Sequence, residues 1–280
     1  MSTILSEKKT LSPWAKGGIG LGAGALLLVL VGLLFPTAAA FFPLVSLWCS
    51  CVLFYGALWV LHTAGVELDF FHRAAIIAFW AGAVLYFYWA LGRRQFIYAW
   101  DYVNYIQKQF NTEAAFALGP VAGFKYIIST FSEDYTNFIT LFTEFPFCLT
   151  AKTGDSYAFA QVFCVLPSLM LMLAGLTIKI GQMLEVKNKF WYFLIGFSWC
   201  ATFPFVRMSA VLGQPDWFGL IFAFMLMLLT LDYRFDGIDL PRYLLIFAAT
   251  AGIILTRRWY LYFVVRYLPV RAHVGGAGPA

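Results

Sequence analysis

Charge is what this sequence has least of. Only 12% of its 280 residues are Asp, Glu, Lys or Arg, against about 25% in a soluble domain. That shortage excludes a water-soluble globular fold. A basic block is missing too: the net charge is +5, but Lys and Arg are scattered among the connections, so no surface neutralises a run of phosphates. Nucleic acid is excluded as a partner. The five cysteines lack metal-ligand spacing. Cys49, Cys51, Cys164 and Cys200 fall in apolar runs and Cys148 in a long connection, where they read as small apolar fillers. There is no internal repeat and no Ser- or Pro-rich linker. No small-x-small cleavage site stands apart from the apolar sequence after MSTILSEKKTLSPWAKGG, so the first apolar segment reads as a permanent helix and not as a signal peptide.

What is present is hydrophobic (62%) and aromatic (20%). Crossing the hydrocarbon of a bilayer takes roughly 20 apolar residues, and suitable runs occur at 18–35, 40–61, 74–92, 157–179, 190–206, 216–231 and 242–256. An eighth begins at 259. The expected fold is all-α, a polytopic bundle of seven to eight spans occupying residues 1–265. A Gly-, Ala- and Pro-rich tail, 266–280, breaks with that character. Either the tail is native, or it is foreign and the chain is a shortened part of a longer protein. Basic residues next to short connections set orientation. Lys8, Lys9, Lys16, Arg73, Lys179, Lys187, Lys189, Arg234 and Arg242 fall on one side, predicting a multi-pass protein of the plasma membrane or endoplasmic reticulum with a cytoplasmic N-terminus. Arg93, Arg94, Arg257 and Arg258 fall on the other side and oppose that bias.

The connection 93–156 is too long for a simple link and too apolar to be disordered. Trp100, Val103, Ile106 and Phe110 recur at three- and four-residue steps, as do Val121, Phe124, Ile127, Ile128 and Phe131. A third stretch, Tyr135, Phe138, Ile139 and Phe142, follows a potential cap at Ser132. These are amphipathic helices suited to a bilayer surface or to the mouths of the spans.

Polar groups gather on the same predicted outer side. They are Asp101 with Arg93 and Arg94 before it; Arg207, Gln214 and Asp216 in RMSAVLGQPD; Arg257, Arg258 and Tyr260 in TRRWY; and Glu113, Glu133, Asp134 and Glu144 in the long connection. Each has an ordinary reading. Asp101 can cap a helix, Arg93 and Arg94 can anchor to headgroups, Asp216 can cap the helix after Pro215, and Arg257 and Arg258 can snorkel. Together they suit transfer from a lipid-linked phosphate, with a carboxylate taking the proton of an attacking hydroxyl and arginines gripping the departing phosphate. Trp100, Tyr102, Tyr105 and Trp259 can stack on a sugar ring.

The stretches FIYAWDYVNY, GQPDWFGLIFAF, LDYRFD and ILTRRWYLYF resemble the GT-C superfamily of polytopic glycosyltransferases, whose members include protein mannosyltransferases and the aminoarabinose transferase. The resemblance covers roughly residues 93–262. It implies a polyprenyl-phosphate sugar as donor, with membrane lipid around it, and a glycan, lipid or protein as acceptor. Asp101 matches the first-loop acid and is implied as the general base, and Asp216 matches a second outer acid. Arg257 and Arg258 match donor-phosphate binders, and Gln214, Tyr105 and Tyr260 are expected to line the substrate site. Asp101 is followed by Tyr102 and Val103, where relatives often carry a second acid, so a base acting without a divalent metal is favoured. Two other readings stay open: a transporter of lipid or small molecules, and a non-catalytic assembly partner.

Overall fold

The computed structural model describes residues 13–35, 40–93, 101–203, 216–233, 239–257, 261–262 and 264–265. Within them the chain is helical: α1 (Pro13–Leu34), α2 (Phe41–Thr63), α3 (Phe70–Ala90), α4 (Asp101–Ala117), α5 (Pro120–Ser129), a 3-10 turn (Asn137–Phe142), α6 (Glu144–Phe147), α7 (Gly154–Cys164), α8 (Leu166–Met183), α9 (Lys189–Thr202), α10 (Asp216–Thr230) and α11 (Leu240–Thr256). Polar residues start several of these helices by accepting the orphan N–H groups of the first turn. Asp69 accepts from His72 at α3, Thr153 from Ser156 at α7, Asn188 from Trp191 at α9 and Asp239 from Arg242 at α11.

Among the described residues, four helices are long and apolar enough to cross a bilayer: Trp14–Leu34, Phe41–Thr63, Phe70–Ala90 and Leu166–Met183. Their outward side chains, including Leu26 and Leu30 of α1 and Ile77, Leu85 and Trp89 of α3, are largely exposed. Such a surface is costly in water and neutral in hydrocarbon, which is consistent with a multi-pass membrane protein. The helices α9, α10 and α11 have 14, 15 and 17 residues and, at about 1.5 Å per residue, fall short of a full crossing alone.

The core lies where α8 meets α2 and α10. Leu169, Met170 and Met172 of α8 and Trp217, Ile221, Leu226 and Leu228 of α10 are fully buried. Close approach depends on glycine. A methyl at Gly175 would run into the Leu61 side chain, and one at Gly252 into the Phe222 ring. The bundle has two distinct ends. At one, α2 begins against the 3-10 turn and α6, with the Phe145 N–H donating to Ser46 Oγ (3.1 Å) and Ser50 Oγ to the Phe142 carbonyl (3.2 Å). At the other, the last carbonyls of α2 meet cations from α8 and α11. Lys179 Nζ donates to Ala64 O (2.8 Å) and pairs with Asp232 (2.5 Å), while Arg242 donates to Thr63 O (2.7 Å). Positive charge at a helix C-terminus also complements its dipole.

Two expectations need correction. The run expected at 157–179 is not one helix: it breaks at Val165 into α7 and α8, because Pro167 has no N–H to donate and its ring crowds the carbonyl four residues back. Nor does Ser132 cap the third amphipathic stretch. Thr136 does so, accepting from the Phe138 N–H (3.2 Å), and the helix that follows is a 3-10 turn with Ile139, Leu141 and Phe142 buried. It packs against the start of α2, the second of the two placements expected for it. The helix α5 differs, since Val121 and Ile128 stay exposed while Ile127 is buried. Most of the region of the eighth span lies outside the described residues.

Candidate functional site

The site forms where the start of α10, the end of α11 and the middle of the long connection converge. Asp216 opens α10, where the helix dipole favours a negative charge. Arg257 ends α11, and its Nη1 donates to Asp216 Oδ1 at 2.6 Å. The other arm, Nη2, donates to Tyr135 Oη at 2.6 Å, and the guanidinium carbon lies 4.7 Å from the centre of the Tyr135 ring. The backbone adds to the join: Tyr135 and Arg257 form an isolated antiparallel bridge, and the Thr136 hydroxyl donates to Leu255 O. Segment 135–137 is thereby pinned to α11. Arg257 Nε is buried without a hydrogen-bond partner among the described residues.

Tyr105 of α4 completes the group. It is 7% exposed and meets Tyr135 edge to face, centroids 5.4 Å apart. Burial pushes its hydroxyl well above the ordinary tyrosine value; the charge of Asp216 and Tyr135 add to the rise, and Arg257 opposes it. It stays a neutral phenol. Burial works against the charge on Arg257, but Asp216, Tyr135 and Tyr105 outweigh it and hold the arginine above its usual value. Beside this group lies a cleft of about 320 Å³, lined by Asn104, Tyr105, Gln107, Lys108, Asn111, Tyr126, Glu133 and Tyr135. Tyrosine faces among amide groups are the surface that sugar rings stack on and hydrogen-bond to.

The structure thus brings together Asp216, Arg257 and Tyr105 from the expected set. Gln214, Arg258 and Tyr260 lie outside the described residues, and so does the side chain of Asp101. Its backbone opens α4, one helical turn before Tyr105. Tyr135 was missed as a partner of Arg257. Its only sequence signal is an aromatic in the same connection, since the pair is 122 residues apart. Arg93 stacks over Trp89 at 5.1 Å at the end of α3, as an interfacial arginine does.

The acids of the long connection divide by role. Glu133 pairs with Lys108 (2.6 Å), whose ammonium also donates to Tyr135 O and Asn137 Oδ1. Glu113 pairs with Lys152. The first of these ties holds a wall of the cleft. Glu144 is 1% exposed; Gln109 Nε2 donates to its Oε2 at 2.6 Å, and Gln109 Oε1 accepts from the Thr143 hydroxyl at 2.6 Å. Burial raises the Glu144 carboxyl from 4.5 to about 7, against the pull of Gln109. A folded value above the unfolded one means that this residue favours folding most below about pH 4.5, and that the contribution is lost as pH rises through about 7. Glu144→Gln removes the ionisable group and keeps the shape. It is expected to stabilise the protein at pH 8 by roughly 2 to 3 kcal/mol, with the gain shrinking as pH falls and reaching zero only below about pH 4.5. Thermal unfolding of both proteins across that range checks the difference.

Among the described residues, no group of three or more His, Cys, Asp or Glu side chains is placed to hold a metal ion. No family model, no curated protein and no solved structure matches the chain.

Proposed function

We propose that the chain is a membrane glycosyltransferase moving a sugar from a polyprenyl-phosphate donor to an acceptor hydroxyl, at the bundle end that carries α4, α5 and the start of α10. The reading is supported most by the convergence of Arg257, Asp216, Tyr135 and Tyr105 beside a tyrosine- and amide-lined cleft. Seven segments then cross in alternation: α1, α2, α3, α7 with α8, α9, α10 and α11. The N-terminus is cytoplasmic, and α5 lays its exposed apolar face on the outer leaflet.

Asp101 takes the proton of the acceptor hydroxyl, and the freed oxygen attacks the anomeric carbon from the face opposite the phosphate. The bond between that carbon and the phosphate oxygen breaks, and polyprenyl phosphate leaves with the electron pair. Arg257, with Arg258 beside it, holds the departing charge through hydrogen bonds stronger than neutral ones. Asp216 fixes the angle of Arg257, Tyr105 and Tyr135 hold the sugar, and Gln214 and Tyr260 complete the rim. No step needs a metal.

The test uses the full chain in phosphatidylcholine vesicles with a panel of polyprenyl-phosphate sugars and lipid or peptide acceptors. Acceptor-dependent release of polyprenyl phosphate is the expected result. Solute or lipid flux without any donor, and no release with any sugar of the panel, would mark a transporter instead.

A further inference from the structure

At the opposite end of the bundle is a second and larger cleft, about 930 Å³. Its origin is a gap in packing. The helices α2 and α3 are joined by only the six residues 64–69, a length that ordinarily leaves two helices side by side. Both pack on α8, yet they barely touch each other. The space between them has Leu61, Ile76, Leu171 and Phe193 as its buried floor and opens outward past Phe54 and Ile77, which are exposed.

The cleft is graded from apolar to charged. Its deep walls are hydrocarbon, and its polar lining clusters where the helices end: His62 closing α2, Glu67 in the link, Asp69 and Arg73 opening α3, Gln182 closing α8 and Lys189 opening α9. Trp14 of α1 stacks on His62, centroids 4.7 Å apart, and covers one side. Asp69 is occupied as the cap of α3. Arg73 uses its Nε on Leu68 O (2.9 Å), and neither it nor Lys189 has an acid partner among the described ion pairs.

We propose that this cleft is a lateral binding site for one anionic membrane glycerophospholipid, with an acyl chain between α2 and α3 and its phosphate held by Arg73 and Lys189. A gap flanked by lipid-facing side chains is entered by whatever fills the bilayer, and the volume is at the upper end of that of ligand pockets. Arg73 and Lys189 offer the phosphate its donors, and Glu67 at the same mouth limits the site to a head of single negative charge. The site lies at the other end of the bundle from Arg257, so it stands or falls separately from the transferase reading.

The experiment embeds the full chain in phosphatidylcholine vesicles containing phosphatidylglycerol with a diazirine in its acyl chain, irradiates them and maps the adducts by mass spectrometry. Adducts at cleft residues such as Leu58, Ile76 and Leu171 are expected at least five-fold above those at Leu26 and Leu30 of α1. Unlabelled phosphatidylglycerol should suppress the cleft adducts first. Ile178→Trp, which fills the cleft, should reduce them at least five-fold. Arg73→Gln with Lys189→Gln should lower them to the level given by a diazirine-bearing phosphatidylcholine. Equal labelling of cleft and outer surface in the unsubstituted chain would overturn the proposal whatever the variants do. So would adducts that persist in Ile178→Trp, or a phosphatidylglycerol signal no stronger than that of phosphatidylcholine.

Discussion

Arg257→Met is expected to lower sugar transfer about a hundred- to a thousand-fold, the usual effect of deleting one charged or hydrogen-bonding group aimed at developing negative charge. Two contacts depend on this side chain: the 2.6 Å contact to Asp216 and the 2.6 Å contact to Tyr135 Oη. Methionine keeps the aliphatic part of the side chain and withdraws the Arg257 charge from Asp216, which is 14% exposed. A folding cost of roughly 2 kcal/mol should follow, because an ion pair near the surface is worth less than a fully buried one. Arg257→Lys separates the two effects. It keeps the charge beside Asp216, so most of the stability should return. A lysine lacks the planar fork that reaches Asp216 and Tyr135 together, so turnover should stay at least about ten-fold down. Thermal unfolding and the rate of polyprenyl phosphate release, measured on both variants, decide between a functional arginine and a purely structural one.

Lys179→Met is expected to cost about 2 kcal/mol of stability and to leave the chemistry at Arg257, at the other end of the bundle, alone. Lys179 is only 7% exposed, and its ammonium joins three elements: the Ala64 carbonyl after α2, Asp232 after α10, and α8 itself. Removing it strands a carbonyl at the end of α2. Asp232, at 43% exposure, can turn to water, which keeps the loss below that of a fully buried pair. Arg242 remains on Thr63 O, so the helix end is weakened but not bare. Asp232→Asn should therefore cost less than Lys179→Met. Equal losses in the two variants would mean that the ion pair matters more than the cap on α2.

Hydropathy carried the architecture well, because a run of apolar residues is a local property that the chain itself displays. Six of the seven apolar runs coincide with single helices to within a few residues, Pro13–Leu34, Phe41–Thr63, Phe70–Ala90, Lys189–Thr202, Asp216–Thr230 and Leu240–Thr256, and the first three of these are long and apolar enough to cross a bilayer alone. The miss at 157–179 was legible in principle, since Pro167 stands within that run, but apolarity hides a break that only the backbone feels. The cap was misplaced for a similar reason. Ser132 and Thr136 are both suitable residues, and the one used is fixed by the contact of Thr136 with Leu255 across 119 positions.

The site divides along the same line. Arg257 and Asp216 stand out in sequence because ionised groups near a bilayer are costly, and the structure pairs them. Tyr135 and the Gln109–Glu144 contact do not stand out. A tyrosine in an aromatic-rich connection carries no mark, and a glutamine finds its glutamate only after α4 folds over α6. The cleft between α2 and α3 is equally silent. It comes from two helices failing to touch, and no residue announces that.

The central claim is that Asp101, at the head of α4, is the base of a transferase. The direct measurement is the rate of polyprenyl phosphate release by Asp101→Asn beside the unsubstituted chain, both in the same vesicles with the same donor and acceptor. Asparagine keeps the shape and cannot take a proton, so the rate should fall about a hundred- to ten-thousand-fold while the thermal midpoint barely moves. Release at the unsubstituted rate would contradict the account and leave Asp101 as the first residue of a helix and nothing more.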